Sequence, residues 1–244
     1  DRRQRQMCIR DRLYAVAVSP DGRLAAVGGW LGRSGDEKSV LLFDLRSHGI
    51  VRRWSGLPDV TVSLAFSADG ARLAAGLASD GIRVWSVADG KDAFADGLYL
   101  GPVRGLSFAP DGHLVATSRL LVGRRDGILR LYDTTGKLLR QVATEAGQQP
   151  SRSAFSPDGT KLAVVFDDDS PAVELRDGHT LALIARPEVV RSQDLRLARV
   201  AWSRDGTRLF AAGDAWRGTG TVLVWSAGGH GPRQIIAQPG FSLS

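Results

Sequence analysis

The sequence predicts an all-β protein made of five repeated units, each containing four short strands. Three observations support this fold class. A six-residue phrase ending in Asp-Gly recurs at a nearly constant interval, apolar strand-like segments surround each copy, and the intervening segments lack the 3.6-residue periodicity of helices. The composition agrees, because 29 glycines and 43% hydrophobic residues among 244 suit a turn-rich globular chain.

The repeated phrase forms the frame of the sequence. It occurs as AVSPDG (17–22), AFSADG (65–70), SFAPDG (107–112), AFSPDG (154–159) and AWSRDG (201–206). The Asp-Gly pairs begin at positions 21, 69, 111, 158 and 205, so the period lies in the forties. A fixed period of this size is typical of a propeller or a solenoid. Because Asp bonds the local backbone and Gly accepts a positive φ, each phrase is expected to form a tight turn.

Each period has the same internal order of strands. An apolar strand enters the phrase, as in VSLAF (62–66), and a small-residue strand follows it, as in RLAAGLA (72–78). Next comes a β-branched strand, as in GIRVWSV (81–87), and then a weaker fourth strand, as in LLRQV (138–142). Four short antiparallel strands per period predict the blades of a β-propeller, five in number.

The blocks resemble the WD-repeat family of β-propellers over about residues 13–238. The resemblance rests on the pair that ends each third strand: Phe43-Asp44, Trp85-Ser86, Tyr132-Asp133, Leu175-Arg176 and Trp225-Ser226. The fourth repeat lacks both members of the usual pair. The Gly-His pair that opens many family repeats is also absent, although Asp80 and Asp126 lie where the family's buried Asp would be. The resemblance implies stacked blades with tryptophans packed between neighbours, and a non-catalytic interaction module.

The two ends of the chain carry separate expectations. Residues 1–12 supply +3 of the total charge of +6, and we interpret them as a basic tail that is non-native or disordered. Residues 13–244 form the propeller of five repeats. Because 50–54 and 233–237 complete the first and last blades, no strand remains to close the ring, and we expect an incomplete arc of a larger propeller. The end faces near these residues should lack blade partners: Tyr14, Val16, Val18, Trp202, Val222 and Val224.

Several functional classes are disfavoured by the sequence. The charge outside the tail is only +3 and is spread along the chain, which argues against nucleic acid as a partner. No apolar run reaches the roughly 18 residues that cross a bilayer, so a membrane role is not expected and we predict a soluble, cytoplasmic protein. One cysteine, Cys8, excludes a disulfide framework.

Catalytic and metal-binding motifs are missing as well. The four histidines, at 48, 113, 179 and 230, are isolated in sequence, and neither GxSxG nor GxxxxGK[ST] occurs. The run Asp167-Asp168-Asp169 lacks the spaced ligand pattern of a calcium loop and is interpreted as a solvated turn. We therefore predict no enzymatic activity, no cofactor and no metal.

The loop rim of the propeller is the predicted binding site. The Asp-Gly turns are short and uniform, whereas the loops after each second strand and the connections between blades vary in length and lie together at the opposite end. Variable loops on a rigid scaffold commonly carry binding residues, and aromatic residues and Arg are enriched at interface hot spots. The predicted partner-binding residues are Trp30, Arg33, Tyr99, Arg124, Arg125, Trp216 and Arg217. Their arginines favour an acidic partner.

Two functions from different classes stay open. The first is a non-catalytic scaffold that binds a protein or peptide through the rim. The second is the propeller part of a larger enzyme, since propellers resembling this one accompany serine peptidase domains and bacterial ones are fused to caspase-like or other effector domains. The phrases GLPDVTVSLAFSADG and GHTLALIARPE look most like such bacterial segments. A lone propeller hydrolase is disfavoured, because it needs carboxylates or His in the central channel and the inner strands offer mainly Ala, Val, Leu, Ser and Phe.

Overall fold

A computed structural model describes residues 12–31, 37–119, 126–166, 172–189, 195–215, 221–231 and 233–237. Five four-stranded antiparallel sheets make up these segments, each in the order of the chain. The fold class expected from the repeats is confirmed. Residues 1–11 lie outside the described residues, so the interpretation of the tail stays a prediction. No helix in the described segments is long and apolar enough to cross a membrane.

Each sheet is one blade, and its first strand is the innermost. The first blade contains β1 (Arg12–Val18), β2 (Leu24–Leu31), β3 (Glu37–Asp44) and β4 (Gly49–Trp54). The second contains β5 (Thr61–Phe66), β6 (Arg72–Leu77), β7 (Ile82–Ser86) and β8 (Asp92–Asp96). The third contains β9 (Val103–Phe108), β10 (Leu114–Arg119), β11 (Gly127–Tyr132) and β12 (Leu138–Ala143).

The last two blades repeat this arrangement. The fourth contains β13 (Pro150–Phe155), β14 (Lys161–Phe166), β15 (Ala172–Asp177) and the short β16 (Leu183–Ala185). The fifth contains β17 (Leu195–Trp202), β18 (Leu209–Ala215), β19 (Thr221–Trp225) and β20 (Arg233–Ala237), with a single 3-10 turn at Ala227–Gly229. The strand boundaries follow the five Asp-Gly turns, as the sequence predicts.

The Asp-Gly turns owe their uniform shape to a shared set of hydrogen bonds. In the second copy the Ser67 hydroxyl donates to the Asp69 carboxylate at 2.5 Å and accepts from the Arg72 amide at 2.9 Å. The copies at Ser19, Ser156 and Ser203 repeat this pattern. The glycine that follows the Asp adopts a positive φ in all five copies. Four of the five turns are thus closed by a hydrogen bond between a Ser side chain and the Asp side chain two residues later.

Apolar cores lie between blades and not within them. Between the first two blades, Leu42 and Trp54 pack on Leu73 and Trp85, and the two indole rings stack at 4.8 Å. Similar cores join the second blade to the third, the third to the fourth and the fourth to the fifth. Within the described residues no core joins the fifth blade to the first, so the blades form an open arc. Stacking of neighbouring blades therefore supplies the hydrophobic burial that one sheet lacks.

Blade contacts near the centre depend on pairs of one glycine and one hydroxyl residue. Ser63 lies opposite Gly76, and its hydroxyl donates to the main-chain oxygen of Val103 in the third blade at 2.7 Å. In the third blade the pair is reversed: Gly105 lies opposite Thr117, whose hydroxyl donates to the oxygen of Ser151 at 3.3 Å. The glycine leaves the space through which the next inner strand approaches.

The unusual fourth repeat compensates for its missing strand-end pair. Arg176 occupies the position where the other blades carry Asp or Ser, and it is buried together with Glu174. Its guanidinium donates to the Glu174 carboxylate at 2.8 Å and to the main-chain oxygen of Leu181 at 2.8 Å. Arg186 approaches the same carboxylate at 3.1 Å. The buried carboxylate is thus neutralised by two arginines.

The end faces match the sequence expectation at one end only. Tyr14, Val16 and Val18 are exposed, and Val16 keeps 69% of its surface. The expectation for Trp202 is wrong, because this ring packs on the core between the fourth and fifth blades and its indole N–H donates to the Ala154 oxygen at 3.0 Å. Val222 is half-buried and Val224 is buried. The side-chain alternation of β17 turns Trp202 towards the preceding blade, as for the other inner-strand aromatics.

Candidate functional site

The loop rim lies at the end of the blades opposite the Asp-Gly turns, as the four-strand order requires. Five of the predicted partner-binding residues, Arg33, Arg124, Arg125, Trp216 and Arg217, lie outside the described residues. Trp30 and Tyr99 lie within them. The rim is therefore defined here by its described parts: Trp30, Lys38, the connection 55–60, the turn 78–81 and the connection 97–102.

Trp30 belongs to a small network that ties the first blade to the second. The Lys38 ammonium lies 5.7 Å from the centre of the Trp30 ring and donates to the main-chain oxygen of Pro58 at 2.7 Å. It also pairs with Asp59 at 3.4 Å, and the Ser79 hydroxyl donates to the same carboxylate at 2.7 Å. Partial burial of Asp59 acts to raise the pKa of its carboxyl, but these contacts outweigh that effect and the pKa is lowered. Trp30 is thus half-buried on a fixed part of the rim.

Tyr99 has a packing role. Only 7% of its surface is exposed, and it belongs to the core between the second and third blades. Its hydroxyl lies 2.6 Å from that of Tyr132, which donates to Asp96 at 2.6 Å. The Arg130 guanidinium lies 4.3 Å above the Tyr99 ring and pairs with Asp96 at 2.9 Å. Tyr99 therefore anchors the connection 97–102 and offers little surface to a partner.

The same cluster fixes the protonation of its tyrosines. Burial raises the pKa of Tyr99 and of Tyr132 above the usual range, and the hydrogen bond to Asp96 raises that of Tyr132 further. Both hydroxyls therefore stay protonated at neutral pH. The Tyr132 hydroxyl donates to Asp96, the residue just before the connection 97–102, and the Tyr99 hydroxyl is hydrogen-bonded to that of Tyr132.

Two leucines on this connection form the most exposed apolar feature of the described rim. Leu98 keeps 80% of its surface and Leu100 keeps 68%, on either side of the buried Tyr99. The Leu98 amide donates to Asp96 at 2.8 Å and the Gly101 oxygen accepts from the Ser118 hydroxyl at 3.1 Å, so the main chain is held at both ends. Sequence reasoning missed these residues. The available signal was the segment DGLYLGP (96–102), which places two leucines in a Gly-rich connection.

The histidines are less isolated in space than in sequence. The rings of His113 and His179 lie 6.5 Å apart, edge to face, across the third and fourth blades. His113 Nδ1 lies 2.9 Å from the Asp111 carboxylate, whose pKa is lowered by hydrogen bonds from His113 although partial burial acts in the opposite direction. No group of three or more His, Cys, Asp or Glu side chains converges in the described segments. Asp167, Asp168 and Asp169 lie outside them.

Comparison with known proteins agrees with the blade geometry. The family model "WD domain, G-beta repeat" matches residues 99–133, which run from Tyr99 through most of the third blade to its strand-end pair. The chain belongs to the WD-repeat family. It is 30% identical over 153 residues to the small ribosomal subunit protein RACK1y of Oryza sativa subsp. japonica, and 30% identical over 168 residues to the WD repeat-containing protein SL1-17 of Schistosoma mansoni.

The matches cover only part of each WD-repeat relative. They include 62% and 68% of this chain but 42% and 52% of the relatives, so the chain spans about half the length of the curated relatives it matches. Among solved structures, a chain in the crystal structure of the mitotic checkpoint complex superposes with a TM-score of 0.74 at 16% identity. That superposition covers 94% of this chain and 64% of the other. At this identity it shows the WD-repeat fold alone.

Proposed function

We propose that this WD-repeat chain is a non-catalytic module that binds a protein or peptide through its loop rim. The observation that carries the proposal is the pair Leu98 and Leu100, exposed on a connection whose main chain and central Tyr99 are fixed. Rigid presentation lowers the entropy cost of binding, and exposed leucines contribute burial energy only when a partner covers them. A WD-repeat chain is typically an interaction scaffold, which supports the same conclusion.

The partner in this proposal carries acidic groups beside apolar ones. Trp30 and Lys38 lie on the described rim, and the sequence predicts that loops at the same end also carry Arg33, Arg124, Arg125, Trp216 and Arg217. Arg pairs bidentately with carboxylates, and Trp and Arg are the residue types that dominate interface energetics. The proposal includes a cytoplasmic location, which the low cysteine content supports.

Selection from a displayed peptide library tests the rim. We expect the wild-type chain to enrich peptides with acidic and apolar residues. The variant Leu98→Ser/Leu100→Ser should raise the Kd of the enriched peptides tenfold or more. Each leucine that a bound peptide covers contributes about 1.5–3 kcal/mol to binding. The control is Leu183→Ser/Ile184→Ser, which alters two adjacent exposed apolar residues on the outermost strand of the fourth blade.

The outcomes separate a binding role from a folding role. Both double variants replace exposed side chains, so their melting temperatures should stay near that of the wild-type chain. Loss of peptide binding by the rim variant with retention by the control supports the proposal. Equal binding by both variants, or the absence of any enriched peptide, would rule out this surface. Substrate turnover by the purified chain would contradict the non-catalytic assignment.

A further inference from the structure

A cavity of about 240 Å³ lies where the inner strands of the blades converge. Its wall includes residues from the first blade through to the fifth: Tyr14, Val16, Leu64, Leu106, Arg152 and Arg199. The cavity is thus separate from the loop rim and is built mainly by side chains of the innermost strands. Apolar groups form much of its wall, and two guanidinium groups reach it from neighbouring blades.

A bulge at the same place in every inner strand organises this region. The register between first and second strands skips one residue in each blade, at Tyr14, Val62, Arg104, Ser151 and Ala198. Such a bulge turns the neighbouring side chains away from regular alternation. The residue directly after the bulge is Ala15, Ser63 or Gly105 in the first three blades, and Arg152 or Arg199 in the last two. Equivalent positions in successive blades therefore carry arginine.

The electrostatics of the cavity are strongly positive. Burial, together with repulsion from Arg199 and Arg104, lowers the pKa of Arg152 to about 10. At neutral pH the guanidinium still carries its charge. Among the described residues that line the cavity, Arg152 and Arg199 are charged and neither Asp nor Glu occurs. Within the described part of the chain, no carboxylate pairs with Arg152 or Arg199, and Arg199 donates to the Ala198 oxygen at 2.9 Å.

We propose that this cavity binds the oxyanion group of a small molecule, a phosphate or a carboxylate, between Arg152 and Arg199. Guanidinium groups match both oxyanions with paired hydrogen bonds. The bound charge would relieve the repulsion between the arginines, and the side chains of Leu64 and Leu106 line the same cavity beside them. A volume of about 240 Å³ lies below the usual range for drug-sized ligands, which favours a compact anion.

Isothermal titration calorimetry with three probes tests the site: inorganic phosphate, pyrophosphate and citrate, each at constant ionic strength. We expect saturable binding of at least one probe with one site per chain. Arg152→Gln and Arg199→Gln should each weaken it by about tenfold or more, since each removes a charge-assisted contact. The control Arg140→Gln removes an exposed arginine on an outer strand and should leave binding unchanged.

The variants also test the electrostatic argument without ligand. Replacing Arg152 removes a half-buried charge that other arginines repel, so the free Arg152→Gln chain should melt at the same temperature as wild type or higher. Tighter binding of pyrophosphate than citrate assigns the site to phosphoryl groups, and the reverse order assigns it to carboxylates. No saturable binding of any probe, or binding that the Arg152 and Arg199 variants do not alter, would overturn the proposal. The rim variant Leu98→Ser/Leu100→Ser should bind these anions normally, which separates this site from the proposed function.

Discussion

Replacing Gly76 by Ala tests how closely the second and third blades approach at the centre. A Cβ atom added at Gly76 would lie closer than 3.0 Å to both the Ser63 hydroxyl and the main-chain oxygen of Val103. Neither atom is the end of a long flexible side chain. The Ser63 hydroxyl is buried and already donates to the Val103 oxygen at 2.7 Å, so the methyl group must push this hydrogen-bonded pair aside.

The expected destabilisation follows from three effects. Overpacking a well-packed contact costs about 1–3 kcal/mol. Disturbing the buried Ser63–Val103 hydrogen bond adds about 1 kcal/mol. Ala has a lower backbone entropy than Gly in the unfolded chain, which offsets the destabilisation by about 0.5–1 kcal/mol. Gly76→Ala should therefore lower the free energy of unfolding by about 1–3.5 kcal/mol, measured by urea denaturation with tryptophan fluorescence as the signal.

Gly97→Ala is the matched control. Its added Cβ would meet only the Asp80 oxygen, at 3.9 Å, which is an ordinary contact. The free energy of unfolding should change by less than about 0.5 kcal/mol. The double variant Ser63→Ala/Gly76→Ala should cost less than the sum of the single changes, because the hydroxyl that meets the new methyl group is gone. Equal stability of the Gly76→Ala and Gly97→Ala chains would refute the close approach of the blades.

Three further predictions concern other parts of the fold. Val16 and Val18 expose an apolar sheet face, so the chain should self-associate with rising concentration in sedimentation velocity, and Val16→Ser/Val18→Ser should reduce that association. Arg176→Met removes a partner of the buried Glu174 carboxylate and should lower the free energy of unfolding by about 3–5 kcal/mol, whereas adding Glu174→Leu should recover part of the loss in the same urea assay. Hydrogen bonds from Ser203 and Thr207 lower the pKa of Asp205 to about 2. The contribution of these bonds to folding stability is therefore present above about pH 4, where the carboxylate is ionised, and is lost as the pH falls towards 2. Ser203→Ala should flatten the fall in melting temperature over that range, and an unchanged slope would contradict the assignment.

The order of the strands could be predicted from the sequence because it depends on local chemistry. The Ser-x-Asp-Gly phrase closes its own turn through bonds spanning two to five residues, and the period-two pattern decides which residues form strands. Trp85 could likewise be assigned to packing between blades, and it stacks on Trp54. These features repeat in every blade, so each copy supports the interpretation of the others.

The roles of individual side chains depended on contacts between blades. Tyr99 is predicted at the rim by its position in a connection, yet its ring is buried because Asp96, Arg130 and Tyr132 meet there from two blades. Its neighbours Leu98 and Leu100 are exposed as a consequence. The sequence pattern could not show this division, because a loop has no fixed periodicity that relates position to burial.

The central cavity shows most clearly what the tertiary structure decided. The sequence describes the inner strands as mainly Ala, Val, Leu, Ser and Phe, which holds for most of their positions but leaves out Arg104, Arg152 and Arg199 in the last three blades. These residues lie about one repeat apart along the chain, and only the curvature of the arc brings their charges together. Local sequence therefore determines the blade, because its turns and strand pairs form between near neighbours. The stacking of blades determines which charged and apolar groups meet, because those contacts join residues from different repeats.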